Sequence, residues 1–126
     1  NKPLKVSVNE QLESACLVTG FPYKWATVEA DPISVFERFI RMGLPVRRLG
    51  SAAIDLCWVA AGRFDGFWEY NLNPWDIAAG YLIIEEAGGR ISNFKGEPYS
   101  VYDKETLATN GSIHEQMLLI IANQPE

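Results

Sequence analysis

Three stretches of this chain carry both a helix start and a helix stop, and only short apolar runs fit between them. Asp31-Pro32 stands before apolar residues at Val35, Phe36, Phe39 and Ile40, with Gly43 and Pro45 behind. Gly50-Ser51 leads into an apolar run to about Ala61, closed by Gly62, and Asn73-Pro74 opens a third run that ends at Gly88-Gly89. An Asp, Ser or Asn side chain caps the free N–H groups of a first turn, and proline suits the first helical position. Glycine takes the left-handed conformation that ends a helix. Around these helices, Leu4 to Val8, Ala15 to Thr19, Val46 to Leu49, Phe64 to Tyr70, Arg90 to Asn93 and Leu107 to Thr109 read as short strands. Ser112 to Ala122 reads as a closing amphipathic helix. Helix and strand alternating across short joints predict an α/β layered domain. The second helix is apolar nearly all round and is expected to be buried.

A chain of 126 residues supports one hydrophobic core. Its net charge of -5 argues against nucleic-acid binding by bulk electrostatics, and basic residues are scattered apart from Arg47-Arg48. No apolar run approaches the roughly 18 residues that span a bilayer, so no membrane partner is expected. The first residues, Asn1-Lys2-Pro3-Leu4-Lys5, show no apolar region behind a basic one, so no signal peptide is expected in this stretch. Cys16 and Cys57 lie in apolar surroundings and read as reduced buried thiols, which points to an intracellular, cytoplasmic protein.

The most informative stretch is Asn73-Pro74-Trp75-Asp76-Ile77-Ala78-Ala79-Gly80. An acid two residues after the N1 proline lies in the first helical turn, where it favours the helix dipole. The same position can aim a carboxylate into a cleft at the strand ends, where its oxygens suit a hard cation. Composition leaves both readings open. His114 is expected to be exposed at the start of the last helix, and Trp58, Phe67, Trp68 and Trp75 are expected in the core. Ser51 lacks the surroundings of a hydrolase nucleophile.

Trp75-Asp76-Ile77-Ala78-Ala79-Gly80, followed by apolar residues and Glu86-Ala87-Gly88-Gly89, resembles the second signature of the inositol monophosphatase family. Gly50-Ser51-Ala52-Ala53 with Asp55, then Gly62, Asp65-Gly66 and Glu69, resembles the block that precedes that signature. The resemblance implies an α/β fold, the layered C-terminal half-domain of the sugar-phosphatase fold with a mixed sheet flanked by helices. It makes residues 1–126 the C-terminal domain, with the N-terminal metal-binding half absent. It implies that Asp76 binds Mg2+ and lies near the substrate. Glu69 would accept hydrogen bonds from ring hydroxyls, and Gly50, Ser51 and Ala52 would line the ring's pocket. The implied reaction is Mg2+-dependent hydrolysis of a phosphate monoester, inositol 1-phosphate first, in a homodimeric enzyme.

Asp31-Pro32-Ile33-Ser34 imitates the family's first signature, but Ser34 stands where that signature has a second Asp, so Asp31 reads as a helix cap. Asp55, Asp65, Glu85 and Glu86 are not read as substitutes for the missing ligands. The chain alone is therefore expected to be inactive until joined to its missing half, with no catalytic set complete. The alternatives are a related phosphatase of the fructose-1,6-bisphosphatase or 3'-phosphoadenosine 5'-phosphate type, or a non-catalytic docking module.

Overall fold

The computed structural model describes residues 3–21 and 31–123; Asn1 and Lys2, used in reading the N-terminus, lie outside them. The elements in chain order are β1 (Leu17–Thr19), α1 (Pro32–Arg41), β2 (Val46–Arg47), α2 (Ala52–Ala60), β3 (Gly66–Tyr70), α3 (Pro74–Glu86), β4 (Arg90–Ser92), β5 (Glu105–Thr109) and α4 (His114–Ile121). One mixed five-stranded sheet runs in the order β2-β1-β3-β5-β4. β1 is parallel to β2 and β3, and β5 is antiparallel to β3 and β4.

The side-chain period of two divides the core. Leu17, Trp68 and Leu107 face one side and pack with Val35 and Phe39 of α1 and Met117 and Ile121 of α4. Val18, Phe67 and Ala108 face the other and pack with Leu56 and Val59 of α2 and Ile77 and Ile84 of α3. Helices thus cover both faces, so consecutive residues such as Leu17 and Val18, or Phe67 and Trp68, are buried on opposite sides of the sheet. α2 and α3 approach closely at Gly80, where a β-carbon would stand 2.5 Å from Leu56 Cδ1.

The helix signals act as the sequence predicts. Asp31 accepts from the N–H groups of Ile33 and Ser34, Ser51 accepts from Ile54, and Gly62 and Gly88 have φ of +80° and +90° just past the helix ends. Four expectations need correction. Leu4 to Val8 forms no strand: Val6 N–H donates to Ala87 O at the end of α3, and Leu4 and Val8 face solvent. α2 is not buried all round, because Ile54 and Trp58 face outward, and Trp75 is 78% exposed rather than in the core.

His114 is the fourth. It is fully buried, because α4 starts against the antiparallel half of the sheet. Its Nε2 lies 2.7 Å from Ser92 Oγ and its Nδ1 lies 2.8 Å from Thr109 Oγ1. Ser92 Oγ already donates to Asn93 O, and Thr109 Oγ1 already accepts from Gly111 N–H. The network therefore assigns the proton to Nε2, which donates to Ser92, while Thr109 donates to Nδ1. Burial first, and the Arg90 charge second, push the imidazole pKa down to about 4.

Candidate substrate and metal cleft

Two crossovers leave the parallel strands on opposite faces: α1 lies in one core cluster, α2 in the other. Between them, at the C-terminal ends of β1, β2 and β3, a crevice opens, the usual position for a ligand in a sheet of this kind. The cleft has a volume of about 510 Å³. Gly20 and Phe21 follow β1, Arg48 follows β2, and Glu69 stands near the end of β3; all four line it. The starts of α2 and α3 supply Gly50, Ser51, Ala52, Asp55 and Asp76.

Each side chain is there for a local reason. Gly50 has φ +84° at the strand-to-helix turn and open space where a β-carbon would stand, so the backbone is bare toward the cleft. Ser51 Oγ is engaged at 3.3 Å with Ile54 N–H as the cap of α2. Glu69 lies two residues from Phe67 and so points to the same side of the sheet, toward α2 and α3. Asp76 Oδ2 accepts from Asn73 N–H at 3.0 Å, so one oxygen serves the helix start. Both readings of Asp76 therefore coexist: a helix-start acid that also lines the cleft. Arg48 is the one cation on the wall among the described residues, and its guanidinium carbon lies 4.6 Å from the centre of the Phe21 ring.

The acids stand in one another's fields. Glu69 is pushed up to about 7 by burial first and then by Asp55 and Asp76. Asp55 is pushed up to about 7 by burial. It is 1% exposed, and its Oδ1 has no hydrogen-bond partner among the described residues. Reading the sequence missed this member of the cleft. A lone acid in an apolar helix start gives no sign that two other acids, from β3 and α3, converge on it. The other acids are elsewhere. Asp65 accepts from Ser7 Oγ and Cys16 N–H and ties down the N-terminal segment, and Glu85 and Glu86 are exposed at the end of α3. Cys16 and Cys57 are free thiols and only half-buried.

Oxygen donors of this kind suit a hard divalent cation, and positive charge there would relieve the mutual repulsion of the acids. The donor set fits such an ion as part of a shell. Among the described residues no group of three or more His, Cys, Asp or Glu side chains is placed to hold a metal by itself.

The family model described as the inositol monophosphatase family matches residues 1–126. An inositol-1-monophosphatase of Synechocystis is 42% identical over 125 residues, which are 99% of this chain and 44% of that protein. The Nus factor SuhB of Escherichia coli is 40% identical over 115 residues, 91% of this chain and 43% of that protein. The solved inositol monophosphatase of Anabaena superposes with a TM-score of 0.92 at 39% identity, covering 99% of this chain and 50% of that one. This chain belongs to the inositol monophosphatase family. It spans about a third to a half of the length of the curated relatives it matches, 33% to 47%. No helix among the described residues is long and apolar enough to cross a membrane.

Proposed function

We propose that the protein carrying this chain is a Mg2+-dependent phosphatase of small phosphorylated polyols, inositol 1-phosphate first among them, and that this chain is its C-terminal half. The observation that carries the reading is that Glu69 and Asp76 meet in one cleft at the strand ends beside the bare backbone of Gly50. Asp76 offers the cation its oxygen that is free of the helix cap, and Glu69 accepts hydrogen bonds from the polyol's hydroxyls. The turn at Gly50, Ser51 and Ala52 bounds the ring. Asp76 would hold a divalent cation here together with ligands from outside this chain, and when bound the ion would supply Lewis-acid chemistry for the hydrolysis of a phosphate ester. The remaining ligands come from the other half, so this chain alone releases no phosphate.

The test uses the full-length protein and inositol 1-phosphate. Asp76→Asn is expected to lower kcat/KM at least about 100-fold while leaving the far-ultraviolet circular dichroism intact. Unchanged turnover would remove Asp76 from the metal site.

A second reading has its own support. Several relatives, the SuhB of Escherichia coli among them, are named Nus factors rather than phosphatases, and the described acids do not complete a metal cluster. On that reading the chain is a non-catalytic module that docks on another polypeptide. Phosphate release from the full-length protein that needs both Mg2+ and Asp76 decides against it.

A further inference from the structure

The Glu69 carboxylate receives no hydrogen bond from any described residue, so none of their polar groups aims it. Shape does. β1 and β3 run parallel with Thr19 beside Trp68, and the next residue along each chain brings Gly20 beside Glu69. The glutamate folds directly over the glycine. A β-carbon placed at Gly20 would lie 2.3 Å from Glu69 Oε1, 2.9 Å from Cδ and 3.4 Å from Oε2. Gly20 is not among the glycines with positive φ, so its backbone would accept any residue. What matters at this position is the missing side chain.

We propose that Gly20 is the positioning residue for Glu69, and that the empty space above its α-carbon sets where the polyol's hydroxyls are recognised. This rests on the reading of Glu69 as the hydroxyl acceptor. The clashing atoms are the far end of a flexible side chain, so an added methyl group leaves the strand pairing alone and moves the carboxylate. The acid has little freedom to retreat toward α2 and α3, because Asp55 and Asp76 hold like charge there. Hydrogen bonds weaken steeply with distance and angle, so a displacement of about 1 Å is enough to lose the hydroxyl contacts.

The experiment compares Gly20→Ala, Glu69→Ala and the double variant in the full-length protein. The substrates are inositol 1-phosphate and a small aryl phosphate that has no polyol hydroxyls. Gly20→Ala is expected to raise KM for inositol 1-phosphate roughly tenfold, with kcat within about twofold, so that preference over the aryl phosphate falls by a similar factor. On the Glu69→Ala background, where nothing remains to clash, Gly20→Ala should add no further loss. A crystal structure of Gly20→Ala should show the Glu69 carboxylate displaced.

Equal losses on both substrates, or full additivity in the double variant, would overturn the proposal. So would a carboxylate found unmoved, whatever the kinetics. Should Glu69→Ala leave the substrate preference intact, the assignment of Glu69 falls and this inference falls with it. If Glu69→Ala shifts the preference and Gly20→Ala does not, only the inference fails.

Discussion

Two polar clusters that flank the sheet are built on opposite plans. On the antiparallel half, His114 meets Ser92 of β4 and Thr109 of β5, and both ring nitrogens have partners. At the C-terminal ends of the parallel strands, Asp55 keeps an oxygen with no partner among the described residues, and the Glu69 carboxylate takes no hydrogen bond from any of them. Each fully satisfied buried group adds specificity and rigidity, while each unsatisfied one costs stability that a fold tolerates only for another purpose. The contrast divides the labour of the domain. The antiparallel half holds α4 in place, and the parallel half leaves acceptors without partners among the described residues, as the proposed function requires.

The largest expected effect lies on the satisfied side. His114→Ala removes a fully buried ring and leaves the Ser92 and Thr109 hydroxyls without their partners, so unfolding stability should fall by about 3 kcal/mol. The loss should depend on pH. The folded imidazole titrates at about 4 and the unfolded one near 6.5, so below 6.5 only the unfolded state takes up the proton. The wild type's advantage over the variant is therefore complete above pH 6.5 and shrinks as pH falls toward 4. Between pH 7 and pH 5 the gap should close by about 2 kcal/mol in urea unfolding. A gap independent of pH would mean that the folded ring takes up a proton as readily as the unfolded one.

The cleft should answer with the opposite sign. Burial raises Asp55 to about 7, so its unfolded state ionises first as pH rises, and the fold loses stability between about pH 4 and pH 7. Asp55→Asn should therefore stabilise the chain at pH 8 by about 2 kcal/mol, less than the full shift represents because water reaches the cleft. The gain should fade toward pH 4. A destabilised Asp55→Asn at pH 8 would show that this carboxylate has a partner and belongs with the satisfied group.

The same contrast explains what could be read without coordinates. Helix limits were legible because caps act locally: Asp31, Ser51 and the glycines at 62 and 88 do their work within a turn. Glu69 and Asp76 were legible through the family's signature blocks. Leu4 to Val8 misled because alternation without a partner strand is not a ladder, and that segment instead lies along the end of α3. His114 and Asp55 were illegible for one reason. Their environments come from β4 and β5 in one case and from β3 and α3 in the other, and a window along the chain holds neither.

The smallest expected effect separates the two clusters most directly. If the open acceptors await a cation, Mg2+ should bind the folded chain more tightly than the unfolded one, even with only part of its shell present. A binder of millimolar affinity at about 10 mM adds roughly 1 kcal/mol to stability. The melting temperature of this chain should therefore rise by a few degrees in MgCl2 relative to NaCl of matched ionic strength. Ionic strength must be matched, because screening alone relieves repulsion among partly exposed acids. Asp76→Asn should abolish the Mg2+-specific part of the rise. His114→Ala should keep it, since that cluster has no open acceptor to offer. Equal shifts in the two salts would mean that the described acids hold no cation by themselves, and a metal site here would then depend on ligands from outside this chain.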